Sequence, residues 1–424
     1  MTVEFALRLA SAAARVLAPD GGRALVGKDT RLSGYMFEAA LEAGFVAAGV
    51  DVSLIGPLPT PGIAYLTQKF DCRFGVVISA SHNPYEDNGI KFFDASGSKL
   101  SDETEERIEA LLDGPVLTRE SVQLGRASRV DKSRVVYQDF CASTIAKGMD
   151  LAGLKVVIDC AHGAAYKVAP RVLTDMGAEI IPIGCSPNGK NINLRCGSTA
   201  PELLQLTVAG VQADVGIALD GDGDRLVMVD HLGRLVDGDR LMYVIALDRH
   251  AQGELRGPVV GTVMSNLGLE HALKARGIEF LRAAVGDRYV LELLKKHGGV
   301  LGGETSGHLL CLDRTTTGDG LVSALQVLAV MKRTGRPLAE LAAGMPHFPQ
   351  VMINVKLRQR IDPRASEPIQ AHVRRVEAAL GDTGRVVLRA SGTEPLIRVM
   401  VEGQDEAIVA RLASELAETV RQAI

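Results

Sequence analysis

Short β-branched runs alternate with longer helical stretches over most of this chain, and the alternation recurs three times. The first round has Ala24 to Gly27, a helical Tyr35 to Ala48, then Val52 to Ile55 and Phe74 to Ile78. The second has Val156 to Asp159, a helix from Ala164 to Met176, Glu179 to Ile183 and Asp214 to Leu219. The third has Val259 to Val263, a helix from Leu269 to Arg276, Phe280 to Val285 and Val300 to Gly303. Apolar runs joined by helices predict strands buried on both faces, hence mainly parallel sheets in three similar α/β domains.

The pattern changes after Pro346 to Pro349. Val351 to Leu357 alternates like a half-exposed strand, a helix follows near Ile369 to Leu380, and strands are expected at Arg385 to Leu388 and Ile397 to Val401. Glu406 to Ile424 closes as an amphipathic helix. Two helices on one face of a small antiparallel sheet predict a C-terminal α+β domain. The expected division is 1–150, 151–252, 253–346 and 347–424.

Composition narrows the function classes. The chain is 46% hydrophobic and 23% charged, as a soluble globular protein is, and its net charge of -4 gives no basic field for nucleic acid or anionic lipid. No segment reaches the roughly 18 apolar residues a spanning helix needs. Phe5 to Leu17 is interrupted by Arg8 and Arg15 and predicts a surface helix rather than a signal peptide. The six cysteines include no C-x-x-C and read as reduced core thiols of a cytoplasmic protein.

Four segments carry candidate chemistry. Ser81 follows the apolar run Val76-Val77-Ile78 and precedes the breakers Asn83-Pro84 and Asn88-Gly89. A hydroxyl at the carboxyl end of a strand is where open α/β sheets place reacting groups. His82 is a candidate base for it, although adjacent residues rarely point the same way. No G-x-S-x-G elbow surrounds Ser81, so storage as a phosphoserine, about -1.5 to -2 charges, fits better than direct nucleophilic attack. The second segment, Asp220-Gly221-Asp222-Gly223-Asp224-Arg225, follows Val215 to Leu219. Three carboxylates spaced by glycines need a cation, and magnesium suits a few carboxylates plus a phosphate oxygen. An EF-hand is excluded, since its sixth position would be Arg225 and its twelfth His231.

The third segment, Gly302-Gly303-Glu304-Thr305-Ser306-Gly307-His308, offers hydrogen-bonding groups for the vicinal hydroxyls of a sugar. In the fourth, Arg389, Ser391, Gly392 and Thr393, with Arg398 beyond, make a phosphate cradle of guanidinium groups and open backbone N–H. Gly184 to Asn191 only imitates a nucleotide loop: the final Ser/Thr is missing and Pro187 intrudes.

These motifs, one per expected domain, together resemble the α-D-phosphohexomutase superfamily over essentially the whole chain. Residues 79–93, S-A-S-H-N-P-Y-E-D-N-G-I-K-F-F, and 27–36, G-K-D-T-R-L-S-G-Y-M, are similar to its glucosamine branch. The resemblance implies four domains around a central cleft. Ser81 would carry the phosphoryl group and, with Asp220, Asp222 and Asp224, hold one Mg2+. Glu304, Ser306 and His308 would grip the sugar, and Arg389, Ser391, Gly392, Thr393 and Arg398 the phosphate that is not reacting. Lys91 and Arg225 would stand near the reacting oxygens.

The implied activity is an isomerase's. It would interconvert glucosamine 6-phosphate and glucosamine 1-phosphate through a 1,6-bisphosphate, for UDP-N-acetylglucosamine and cell-wall precursors. Glucosamine or glucose 1,6-bisphosphate would be the activator. The partners would be small sugar phosphates, with a homodimer compatible and nucleic acid and membrane excluded. A mannose or glucose phosphate mutase and a truncated, non-catalytic sugar-phosphate binder are the alternatives. One departure stands out: the family usually opens with a strand and a G-T-D-G-I-R-G loop, whereas this chain starts at the helix that follows. A start codon assigned too late is the expected explanation.

Overall fold

The computed structural model describes residues 1–356, 362–390 and 396–423. Its first sheet is built from β1 (Gly22–Lys28), β2 (Val50–Pro57), β3 (Phe74–Ile78), β4 (Ile90–Asp94) and β5 (Ala127–Arg129), in the order β4-β3-β1-β2-β5. The second holds β6 (Lys155–Asp159), β7 (Glu179–Ile183), β8 (Val215–Leu219), β9 (Leu226–Asp230) and β10 (Leu235–Val236), ordered β10-β9-β8-β6-β7. The third has β11 (Val259–Thr262), β12 (Phe280–Ala283), β13 (Leu301–Gly303) and β14 (Leu309–Cys311), ordered β12-β11-β13-β14. The fourth is antiparallel, with β15 (Gln350–Lys356), β16 (Gly384–Ala390) and β17 (Leu396–Gly403) in the order β15-β17-β16.

The three α/β units repeat one device. In each, one parallel strand turns back into an antiparallel neighbour: β3 into β4, β8 into β9, β13 into β14. The Ser81, Asp220 and Glu304 segments are therefore the same loop used three times. The short return strands were invisible to the alternation pattern because each reads as the tail of its loop motif.

Local signals fix most element ends. Thr2 caps the first helix, Val3–Leu17, by accepting from Phe5 N, and its alanine face is buried. The helix expected from Ala164 begins only at Ala169. Upstream, Ala161 and His162 have φ of 52° and 49°, and Ala164 N donates to the Gly221 carbonyl instead of continuing a helix. The predicted closing helix spans Glu406–Gln422.

One apolar core runs through the first three units, joining Leu25, Ile63, Tyr137, Ile158, Leu219 and Leu325. At its centre the helix Gly320–Thr334 is buried from Gly320 to Met331. The fourth unit has cores of its own, around Ile397 and Leu416 and around Val401 and Val409. No helix among the described residues is long and apolar enough to cross a membrane.

Candidate functional site

The Ser81 segment is held from below by a buried arginine. Arg31 is fully buried. Its Nε donates to Asp29 Oδ2 at 2.8 Å and its Nη2 to the carbonyls of Ser81 and Asn83 at 3.0 and 2.8 Å. Its Nη1 donates to the carbonyls of Pro84 and Asp87. Asn193, from the second unit, grips the same two carbonyls, Ser81 O at 2.9 Å and Asn83 O at 3.0 Å. This cage maintains Ser81 at φ 51°, a left-handed conformation costing a serine roughly 1–2 kcal/mol. The circuit closes through Ser81 N to Ser79 Oγ (3.0 Å) and Ser79 Oγ to Asp29 Oδ2 (2.5 Å).

Ser81 Oγ thereby reaches the second unit, donating to Asp220 Oδ2 at 2.7 Å. The Asp220–Arg225 turn lies at the meeting point of three units. Gly221 O receives Ala164 N, Asp222 O receives Thr60 N, and Gly223 O receives Gly320 N, at 2.8, 2.9 and 3.0 Å. A side chain at Gly221 would put its Cβ 2.6 Å from Ser81 O, so glycine alone allows this approach. Asp220, Asp222 and Asp224 are all buried, with one ligand oxygen from each within 4.8 Å of the others.

Their charges are unequal. Burial, with Asp222 and Asp224 alongside, pushes the Asp220 carboxyl well above its ordinary range. Burial also opposes ionisation of Asp224, but Lys91, His308 and Arg225 outweigh it and hold that carboxyl below the usual range. Lys91 Nζ donates to Asp222 Oδ2 at 2.7 Å and lies 3.8 Å from Asp224. Thr60 Oγ1 adds a bond to Asp222 Oδ2 at 2.8 Å. Oδ1 of Asp222 and Oδ1 of Asp224 are buried without a hydrogen-bond partner. Orphaned carboxylate oxygens beside a third carboxyl fit a hard divalent cation. His82 Nδ1 lies 3.5 Å from Ser81 Oγ, and its pKa is lowered by burial and by Arg225, so the ring is neutral at pH 7.

In the third loop the expected residues separate. Ser306 is exposed and Glu304 half-buried, with Glu304 Oε1 accepting from Gly286 N at 3.0 Å. The His308 ring is buried between Asp224 (Nδ1 to Oδ1, 3.6 Å) and Asp287 (Nε2 to Oδ2, 3.3 Å). Burial alone would lower its pKa, yet these two acids raise it to about 10, so the ring is a cation at neutral pH. Asp287 in turn pairs with Lys99 of the first unit.

In the fourth unit, Arg389 and Arg398 are directly opposite each other on β16 and β17. Like charges so placed are mutually destabilising. Burial and Arg398 lower the Arg389 pKa, with Glu304 of the third unit acting the other way. An anion between the two guanidinium groups would relieve the repulsion. Ser391, Gly392 and Thr393 lie outside the described residues.

Arg31, Thr60, Asn193 and Asp287 were not found from the sequence. Arg31 stood within the 27–36 stretch, but its role depends on carbonyls about 50 positions away. A separate 740 Å3 pocket, lined by residues such as Leu154, Asp214 and His231, is at the opposite end of the second sheet's strands and includes none of the site residues.

Three α/β units presenting a strand-end serine, an acidic turn and a polar turn, followed by an α+β unit with paired arginines, define a class of phosphosugar enzymes. The chain belongs to the phosphoglucomutase/phosphomannomutase family. It matches that family's alpha/beta/alpha domains I, II and III at residues 1–115, 136–233 and 237–348, and its C-terminal domain at 352–419. Among its relatives, phosphoglucosamine mutase of Methylococcus capsulatus is 57% identical over 425 residues, covering 100% of this chain and 95% of that one. The enzyme of the same name from Thioalkalivibrio sulfidiphilus is 58% identical, over 99% and 94%.

Solved structures share the fold. A phosphoglucomutase/phosphomannomutase family protein from Burkholderia thailandensis superimposes with TM-score 0.83 at 24% identity, over 100% of this chain and 94% of that one. Aspergillus fumigatus N-acetylphosphoglucosamine mutase, solved with GlcNAc-6P and magnesium, gives TM-score 0.67 at 20% identity, over 86% and 92%.

Proposed function

We propose that this chain interconverts glucosamine 6-phosphate and glucosamine 1-phosphate through a phosphoserine at Ser81 and a 1,6-bisphosphate intermediate. The observation that carries the proposal is the 2.7 Å contact of Ser81 Oγ with Asp220 inside a cluster of three buried carboxylates. The choice of glucosamine rests on the relatives' activity. Phosphoserine 81 transfers its phosphoryl group to the free hydroxyl of the sugar phosphate: the bond from Ser81 Oγ to phosphorus breaks and one to the sugar oxygen forms. His82, neutral and beside Oγ, takes the proton that the sugar hydroxyl gives up and passes it to Ser81 Oγ as the phosphoryl group leaves. The bisphosphate then turns end for end, and the other phosphoryl group returns to Ser81.

Lys91 and Arg225 supply positive charge next to the transferring group, Glu304 and Ser306 bind sugar hydroxyls, and Arg389 and Arg398 hold the resting phosphate. His308 also braces the acidic turn, between Asp224 and Asp287. A magnesium ion held by Asp220, Asp222, Asp224 and the Ser81 phosphate would draw charge from the phosphoryl oxygens. In phosphoryl transfer, positioning and charge neutralisation provide most of the rate.

The test is Ser81→Ala. Interconversion should disappear, and intact-mass analysis of the parent after exposure to glucose 1,6-bisphosphate should show one phosphate increment on the Ser81 peptide. Parental turnover by Ser81→Ala would overturn the proposal. A kcat/KM on glucose 6-phosphate equal to that on glucosamine 6-phosphate would refute the choice of sugar alone.

A further inference from the structure

The fourth unit has its own core, and among the described residues it grips the third unit at the turn Val263 to Leu267, whose Ser265, Asn266 and Leu267 are buried. Fourth-unit side chains bind this turn from one side. Arg385 donates to the carbonyls of Val263 and Ser265 at 2.8 and 2.6 Å, and Gln350 Nε2 to Met264 O at 3.3 Å. Glu402, fully buried, accepts from Leu267 N at 2.7 Å, from Gln350 at 2.9 Å and from Arg385 Nε at 2.5 Å. Asn266 pairs twice with the Phe348 backbone, just before β15 (Nδ2 to O, 2.8 Å; N to Oδ1, 3.1 Å).

The other side of the turn leads to the sugar loop. Asn266 N donates to Asp239 Oδ2 at 2.8 Å, and that same oxygen accepts from Thr305 Oγ1 at 2.8 Å. Gly238 N donates to Thr305 O at 3.1 Å. Asp239 is fully buried. One carboxylate oxygen thus fastens both the turn that carries the fourth unit and the residue between Glu304 and Ser306.

We infer that Asp239 is a positioning residue, setting the distance between the sugar-binding loop and the arginine pair that holds the resting phosphate, through Thr305 on one side and Asn266 on the other. The inference rests on the mutase reading. A substrate bound in either of two orientations needs its sugar grip and its phosphate grip fixed relative to each other, whichever end faces Ser81. A loosened relay weakens ground-state and transition-state binding alike. It therefore appears in KM for both substrates and hardly in kcat.

The experiment uses Thr305→Val, which keeps the shape and removes the hydroxyl, with Thr305→Ser as the control that restores it. KM should rise about tenfold for both glucosamine 6-phosphate and glucosamine 1-phosphate, the effect of losing one hydrogen bond to a charged group, with kcat within about twofold. Hydrogen exchange of the free enzyme should speed up at residues 263–268, and Thr305→Ser should return both readouts toward the parent. Unchanged KM, or raised KM without faster exchange in that turn, would overturn the inference. A parent enzyme without interconversion would sink the mutase reading instead, while the exchange measurement would still test the link between loop and turn.

Discussion

Replacing Arg31 by lysine tests whether Ser81 is held in place by the cage beneath it. The guanidinium donates to Asp29 and to the carbonyls of Ser81, Asn83, Pro84 and Asp87 in different directions. A lysine ammonium keeps the charge and can still pair with Asp29, but it has three donors and no fork. At least two of the guanidinium's bonds to the loop are then lost, while Asn193 Nδ2 still serves the Ser81 and Asn83 carbonyls and Asp87 N that of Pro84. Each hydrogen bond lost without orphaning its acceptor costs about 0.5–1.5 kcal/mol, so closing of the loop weakens by about 1–3 kcal/mol in total, on the order of 5- to 150-fold in its opening equilibrium. Ser81 already sits in a left-handed conformation at φ 51°, so the released segment relaxes away from Asp220.

Two measurements report this. Hydrogen exchange should accelerate in the peptide spanning residues 79–91 with the rest of the first sheet unchanged. The value of kcat should fall about 10- to 100-fold, as a misplacement on the order of 1 Å at a reacting group does. Both quantities within twofold of the parent would show that the cage does not set the serine's geometry.

Three further outcomes are expected. Chelation of divalent cations should abolish turnover, and added magnesium should restore it without refolding, because the Asp220, Asp222 and Asp224 carboxyls are positioned by backbone anchors rather than by the ion; survival of activity in excess chelator would count against a metal site there. Gly163→Ala would place a methyl 2.3 Å from Gly221 O, so the acidic turn must shift. Then kcat/KM should fall about tenfold or more with the circular dichroism spectrum preserved, and a fully active variant would refute the close approach.

Asp319 gives a pH prediction. Burial raises its carboxyl from 3.8 to about 6, against bonds from Val322 N and Tyr137 Oη. The folded state therefore binds the proton more tightly than the unfolded one. The resulting stability is fully present below pH 3.8 and is lost as pH rises through about 6, a change on the order of 3 kcal/mol. The melting temperature of the parent relative to Asp319→Asn should drop between pH 4 and pH 7, and parallel curves would disprove the assignment.

Local pattern determined a good deal of this protein. Apolar runs joined by helices specified three parallel-stranded units and a different fourth, because side-chain period and burial are set within a few residues. Ser81 after β3 and the glycine-spaced acids after β8 were legible for the same reason: strand end, breaker and chemistry are adjacent in the chain. Tertiary packing decided the rest. Arg31, Thr60, Asn193 and Lys91 acquire their roles from carbonyls and carboxylates dozens to more than a hundred positions away. His308 reads as a sugar ligand in its glycine loop, and only the docking of the sheets sets Asp224 and Asp287 on either side of its ring. A sequence specifies which groups a turn presents; which partner each meets depends on how separate sheets dock, and that is written in no single stretch of the chain.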